Sequence, residues 1–207
     1  TAFNGQKFER LLGKGVLNNM ISAQIFRDLA DFGISSHFIS RVSDTEQLVS
    51  RVEIIQLEVV VRNVVAGSLA KRIGWAEGRC LKEPIVEFYY KNDDLGDPLL
   101  TENHIELLEL ATTHEIKDLR EQALKINDFL TKRFDKIDLQ LIDFKLEFGR
   151  QSNGSLILAD EISPDTCRLW DRKTNEKMDK DRFRRNLGGL VEAYQEVWNR
   201  LDKGKDA

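Results

Sequence analysis

The sequence predicts an α+β fold, and three observations carry that expectation. Segments with apolar residues at helical spacing occur near both ends and in the middle of the chain. Val- and Ile-rich runs, some alternating strictly with polar residues, lie between them. An Asn-Gly pair separates two such runs, which is hairpin chemistry.

Taken in order, residues 18–32 put Ile21, Ile25, Leu29 and Phe32 on one helical face, and Gly33 ends the pattern. Residues 37–42 read as a strand. Residues 52–65 read as one long strand, or two strands meeting at a bend. A helical turn is expected over 67–73, closed by Gly74, then a strand over 85–90 and a polar turn over 92–98. Thr112 or Thr113 caps a long helix running to about Phe134. Strands over 139–148 and 155–162 are joined by Gln151-Ser152-Asn153-Gly154. A last helix is expected over 181–201, and residues 202–207 are expected to fray.

The 207 residues suffice for one large domain or two small lobes around a cleft. The net charge of -4 argues against a general affinity for nucleic acid or anionic membranes, so any bound anion must meet local Arg and Lys clusters. Cys80 and Cys167 form neither a disulfide framework nor a zinc spacing. His37, His104 and His114 form no ligand pair and are expected to be structural or surface residues. The longest apolar run, residues 54–61, is interrupted by Gln56 and Glu58 and is too short to span a bilayer. The low cysteine content favours the cytoplasm. The chain opens at Thr1 rather than Met, so part of its natural N-terminus is expected upstream.

The segment Leu141-Ile142-Asp143-Phe144-Lys145-Leu146-Glu147-Phe148 is the most informative. In a strand, Asp143, Lys145 and Glu147 share one face, while Ile142, Phe144, Leu146 and Phe148 share the other. One reading of the charged face is a solvated surface with cross-strand ion pairs. The other is a site: Asp160 and Glu161 fall across the hairpin, and grouped carboxylates repel unless a cation sits among them. Mg²⁺ takes such oxygen ligands and shares them with nucleotide phosphates. A lysine between acids can serve as a point charge on a phosphate or carboxylate.

In Glu58-Val59-Val60-Val61-Arg62-Asn63-Val64-Val65-Ala66-Gly67-Ser68, a Val-rich strand leads through Arg62 to a small-residue turn at Ser68. An arginine, a hydroxyl and backbone N–H groups make a phosphate cup, although a plain Ser cap reads equally well. Glu58, a charge inside an apolar strand, needs a partner or ligand. Ser163-Pro164-Asp165 is turn chemistry, and Arg168 and Trp170 leave that turn. Arg184 lies where a helix is expected to start, and an arginine there opposes the helix dipole and calls for an anion. The loop over 92–98 is acidic but too short in oxygen ligands for calcium.

Together these motifs, with Asp160-Glu161-Ile162-Ser163-Pro164-Asp165, Arg168-Leu169-Trp170-Asp171 and Met178-Asp179-Lys180-Asp181-Arg182-Phe183-Arg184, closely resemble the SAICAR synthetase family over essentially the whole chain. The resemblance implies a two-lobed α+β enzyme with ATP in the cleft. A smaller lobe would run to residue 54 and a larger one over 55–207, with a hinge near Glu53 and Ile54 beside adenine. It implies a ligase that joins L-aspartate to carboxyaminoimidazole ribonucleotide, yielding the succinocarboxamide, ADP and phosphate. By that resemblance Arg62, Ser68, Arg168 and Arg184 hold the ribonucleotide, chiefly its phosphate, with Asp97 and Glu58 nearby. Asp143 and Lys145 match its carboxylate end, where catalysis occurs, and Glu147 and Asp160 match positions for Mg²⁺ and the ATP phosphates. A homodimer is expected.

Two departures stand out. Gln56 replaces the family's usual Pro in the hinge, and the family's Gly/Lys-rich ATP-covering hairpin would lie upstream of Thr1-Ala2-Phe3-Asn4-Gly5, which looks like the loop that follows it. An ATP-dependent small-molecule kinase and a non-catalytic nucleotide-binding module are the alternatives. The first would need no aspartate; the second could lose Lys145, Glu147 or Asp160, and all three are present.

Overall fold

The computed structural model describes residues 7–204, so the Thr1–Gly5 resemblance lies outside the described residues. Its elements run in the order α1 (Lys14–Asp31), β1 (Phe38–Arg41), β2 (Gln47–Val49), β3 (Glu53–Val64), α2 (Gly67–Ile73), β4 (Cys80–Tyr90), β5 (Leu99–Leu100), α3 (Glu102–Leu107), α4 (Thr113–Asp135), β6 (Leu139–Arg150), β7 (Leu156–Ala159), β8 (Cys167–Asp171), α5 (Asp181–Arg184) and α6 (Leu190–Lys203). The fold is α+β, as the residue patterns predict.

β1 and β2 form a small ribbon. The other strands form one antiparallel sheet in the order β5-β4-β3-β6-β7. The second edge of β6 is shared: its first half pairs with β8 and its last four residues pair with β7. Between those two pairings the chain over 160–166 crosses at Lys145, whose backbone N–H donates to the Thr166 carbonyl at 2.9 Å. Helix α4 covers one face of β3, β4 and β6, and α1 packs against α6. Leu57, Val59, Val61, Phe144, Leu146 and Phe148 enter the main apolar core with Ile116, Leu119 and Ile126 of α4. Burying each such side chain contributes on the order of 2 kcal/mol.

Four expectations change. The single last helix is two, because Gly188 and Gly189 take φ of +70° and +60° and stop α5 before α6 begins. Arg184 therefore lies in the last turn of a four-residue helix, where the dipole favours a cation, so the dipole argument for an anion there fails. Ile142 does not share the core face with Phe144. A β-bulge between Leu141 and Asp143 reverses the parity, and Ile142 packs instead with Val64, Ala66 and Trp170. Finally, α6 stays helical through Lys203, past the expected start of fraying, while residues 205–207 lie outside the described residues. Strands β2, β5 and β8 and helix α3 also went unread. Of the two readings of residues 52–65, the single long strand holds, with a register irregularity: four steps along β3, from Ile54 to Glu58, oppose two on β6, from Gly149 to Glu147.

Helix α4 begins with a reciprocal capping box. Thr112 accepts from the Glu115 N–H and Glu115 accepts from the Thr112 N–H. Arg150 at the end of β6 grips the same carboxylate with Nε at 2.6 Å. That hydrogen bond, seconded by Thr112 against the cost of burial, lowers Glu115 to about 2. Thr112→Ala is expected to cost about 1 kcal/mol of unfolding free energy. The Glu115 contribution is complete above its ordinary value of 4.5 and is lost as the pH falls toward 2. Urea unfolding of Glu115→Gln should therefore show a deficit at pH 7 that shrinks at pH 3.

Candidate active site

The face of the sheet opposite α4 is not open surface. β3 presents Glu58, Val60 and Arg62 there, β6 presents Asp143, Lys145 and Glu147, and the two rows stand in register, with Glu58 opposite Glu147, Val60 opposite Lys145 and Arg62 opposite Asp143. Helix α2, the end of β4, the 160–168 segment and α5 wall them into a cavity of about 730 Å³. Asp143 and Glu147 are only 3% and 4% exposed, which excludes the reading of a solvated strand face.

The cavity has two poles. At one, Arg62 gives Nε to Glu87 at 2.7 Å, one terminal nitrogen to Asp143 at 2.9 Å, and the other to Ser68 Oγ at 2.9 Å and Tyr89 OH at 3.0 Å. Arg168 donates to both oxygens of the same Asp143 at 2.8 and 3.0 Å, and to Asp181 at 3.1 Å. Asp181 also accepts from Arg184 at 2.8 Å. Burial opposes the charges on Arg62 and Arg168, but Asp143 and the other acids outweigh it and raise both pKa values. The pole is a frame of fixed cations whose geometry is set by Asp143 and Asp181.

At the other pole Lys145 Nζ meets Glu147 at 2.8 Å, Glu58 at 3.1 Å and Asp160 at 3.8 Å, and Lys91 joins Glu147 at 2.9 Å. Burial opposes the Lys145 charge, but Glu147 and Glu58 outweigh it, so the group stays an ammonium and acts as a charge rather than a base. Burial would likewise raise Glu147, but Lys145 and Lys91 bring it below the usual range. Asp160 goes the other way: desolvation in the cleft and the Glu147 charge raise it. Its φ of 59° puts it in the left-handed region, at the point where the chain turns out of β7 over Lys145.

Ten of the residues singled out in the sequence line this cavity: Glu58, Arg62, Ser68, Asp97, Asp143, Lys145, Glu147, Asp160, Arg168 and Arg184. Asp97 sits in the turn before β5 and accepts from the Asn92 N–H at 2.9 Å. Asp143 stands with the arginines rather than in the Lys145 cluster. Glu53 and Ile54 lie apart from the lining, at the start of β3 opposite Arg150 and Gly149. Tyr89, Lys91 and Lys180 went unread. The first two follow Glu87 at strand spacing, a period-two signal as plain as that of β6. None of the three histidines lines the cavity: His104 and His114 are exposed and His37 packs against Phe26.

The family model described as SAICAR synthetase matches residues 1–201. The chain belongs to the SAICAR synthetase family. It is 63% identical over 201 residues to the phosphoribosylaminoimidazole-succinocarboxamide synthase of Anoxybacillus flavithermus, covering 97% of this chain and 84% of that relative. The synthase of Shouchella clausii matches at 63% over the same shares. The crystal structure of the synthase from Ehrlichia chaffeensis superposes with a TM-score of 0.95 at 48% identity, over 98% of this chain and 86% of the other. A SAICAR synthetase in complex with ADP gives a TM-score of 0.95 at 50% identity, over 97% and 86%. The chain is an ATP-dependent ligase of purine biosynthesis.

One glycine bears directly on the arginine pole. Gly67 has φ of +53°, and a Cβ there would stand 2.5 Å from a terminal nitrogen of Arg168. Gly67→Ala is expected to push Arg168 off Asp143 and raise the KM for the ribonucleotide about tenfold, the loss of one charge-assisted hydrogen bond. Initial-rate kinetics check this, and an unchanged KM would remove Arg168 from substrate binding.

Proposed function

We propose that the ribonucleotide lies along β6, its phosphate held by Arg62, Ser68, Arg168 and Arg184 and its carboxylate at Lys145. Asp97 and Glu58 would flank it, and Asp143 would act by orienting the two arginines it bridges. ATP enters between a smaller lobe over 1–54 and a larger one over 55–207, with adenine beside Glu53 and Ile54 and its terminal phosphates near Glu147 and Asp160. The observation that carries this reading is the row Asp143-Lys145-Glu147, with both carboxylates buried, which puts an arginine-bound carboxylate, a cation and a metal-type carboxylate in sequence along one strand.

Glu147 and Asp160 fit Mg²⁺. Desolvation and the Glu147 charge raise the Asp160 carboxyl, a repulsion that a divalent cation would remove. Among the described residues no group of three His, Cys, Asp or Glu stands ready to hold a metal alone, so phosphate oxygens and water would complete the shell. The ion supplies charge neutralisation on the phosphates.

In the reaction an oxygen of the ribonucleotide carboxylate attacks the terminal phosphorus, the bond to ADP breaks, and an acyl phosphate forms. The aspartate nitrogen then attacks the acyl carbon. A C–N bond forms, the C–O bond to phosphate breaks, and the nitrogen sheds two protons as ammonium becomes amide. Lys145 holds its charge against the carboxylate and the anion that develops from it, while the arginine frame fixes the far end of the substrate. A cytoplasmic homodimer completes the reading; among the described residues no helix is long and apolar enough to cross a membrane.

The test is ADP release with Mg²⁺-ATP, ribonucleotide and L-aspartate, omitting each in turn. All three should be required, with the succinocarboxamide formed. ADP release indifferent to aspartate would replace this scheme with a kinase. Lys145→Met should lower turnover by about a hundredfold or more with the far-UV spectrum unchanged, and near-normal turnover would end the role given to Lys145.

A further inference from the structure

Behind the arginine pole stands an ion pair that does not line the cavity: Glu77, in the turn between α2 and β4, and Arg185, just past α5. Arg185 grips the Glu77 carboxylate with both terminal nitrogens, at 2.6 and 3.0 Å. One of those nitrogens also stands 3.3 Å from Asp181. Glu77 has a second task, since its Oε1 accepts from the Gly67 N–H at 2.9 Å. The turn itself is pinned: the Gly78 N–H donates to the Val65 carbonyl and the Val65 N–H to the Arg79 carbonyl, each at 2.9 Å. The Arg185 hydrogen bond holds the Glu77 carboxyl below the usual range against the cost of burial, and the Gly67 N–H helps. Glu77 is therefore an ionised carboxylate fixed between α2 and α5.

The pair touches the pole at Asp181. That carboxylate is only 2% exposed, and it accepts from Arg184 on one oxygen at 2.8 Å and from Arg168 on the other at 3.1 Å. Arg185 approaches the same oxygen as Arg168. Three guanidiniums thus converge on one buried carboxylate, and Arg185 is the one that Glu77 holds back. Freed of Glu77, it could take Asp181 with two parallel N–H bonds, the geometry such pairs favour, and displace Arg168. Gly67 adds a second coupling. A Cβ there would stand 2.5 Å from an Arg168 nitrogen, so the backbone that Glu77 holds packs directly on the same guanidinium. Asp181, Arg168, Gly67, Glu77 and Arg185 close a ring of contacts. Half-exposed ion pairs contribute little to fold stability, so the weight of this one lies in where it leaves Arg168.

We propose that Glu77 is a positioning residue for the ribonucleotide phosphate: by keeping Arg185 to itself and Gly67 in place, it leaves Asp181 to Arg168 and Arg184, the two arginines that line the cavity. This rests on the placement of the phosphate proposed above. Glu77 touches no substrate in this scheme. It acts through Arg185, Asp181 and Gly67, so its loss is felt in ribonucleotide binding and not in the steps at Lys145.

Glu77→Gln is the first test, because it keeps an acceptor for the Gly67 N–H and loses only the charge that holds Arg185. The KM for the ribonucleotide is expected to rise about tenfold, the loss of one charge-assisted hydrogen bond, with kcat and the KM for ATP within about twofold. Arg185→Met removes the competitor and should raise that KM by no more than about threefold. The decisive variant combines the two. Its ribonucleotide KM should fall back to that of Arg185→Met, because no third guanidinium remains to draw Asp181 away. A loss of folded protein would lower kcat and the thermal midpoint but leave KM unmoved, and it could not be reversed by a second substitution. A ribonucleotide KM within about twofold of wild type in Glu77→Gln would overturn the proposal. So would a double variant as weak as Glu77→Gln, which would make the pair a plain structural clasp. Arg168→Met keeps the two failures apart, since an unchanged ribonucleotide KM there would instead remove the phosphate from this pole.

Discussion

The pairing of β3 with β6 is the constraint on which the rest depends. It sets Arg62 against Asp143 and Glu58 against Glu147, with Val60 opposite Lys145. Because side chains alternate along both strands, a slip of one residue would send Val59, Val61, Phe144 and Leu146 into the cavity and the charges into the core beneath α4. The apolar core thus holds the polar site in register. A pair of bulges bounds the aligned stretch, one near Gln56 and one at Ile142. Between them the ladder is regular, and that is where Glu58, Arg62, Asp143, Lys145 and Glu147 lie.

Burying so many charges is tolerable only because each is answered. Arg62 has four partners, Lys145 has three, and both oxygens of Asp143 are taken. Removing one partner from such a network leaves its neighbour charged and desolvated, which costs several kcal/mol. The cations are thus held in place by Asp143, Asp181 and Glu147 within the protein itself. Preorganised charges of this kind cost no rearrangement when the transition state forms.

Much of this was legible in the sequence, where the signal was local. Strand alternation alone put Asp143, Lys145 and Glu147 on one face, and Asn153-Gly154 announced the hairpin that brings Asp160 to them. The same alternation in Glu87-Tyr89-Lys91 was equally available. Arg184 lines the cavity, but not for the reason of helix polarity, because two glycines cut the helix short. Parity failed at Ile142, since a bulge has no signature in the alternation itself. Lys14 and Asp165 could not be joined by pattern at all: they stand 151 positions apart and meet where α1 packs against α6, whose Tyr194 holds the same carboxylate.

In the proposed arrangement the order of residues along β6 follows the order of groups in the reaction. Successive residues on one face are roughly 7 Å apart, so Asp143, Lys145 and Glu147 span roughly 13 Å. In the arrangement proposed above, with the ribonucleotide phosphate on the arginines that Asp143 orients, its carboxylate would fall beside Lys145 and the transferring phosphate beside Glu147. β3 closes one flank of β6 from Asp143 to Arg150. On the other flank the segment over 160–166 crosses between the β8 and β7 pairings, where Thr166 accepts from the Lys145 N–H, and Glu161, Asp165 and Lys180 line the cavity there.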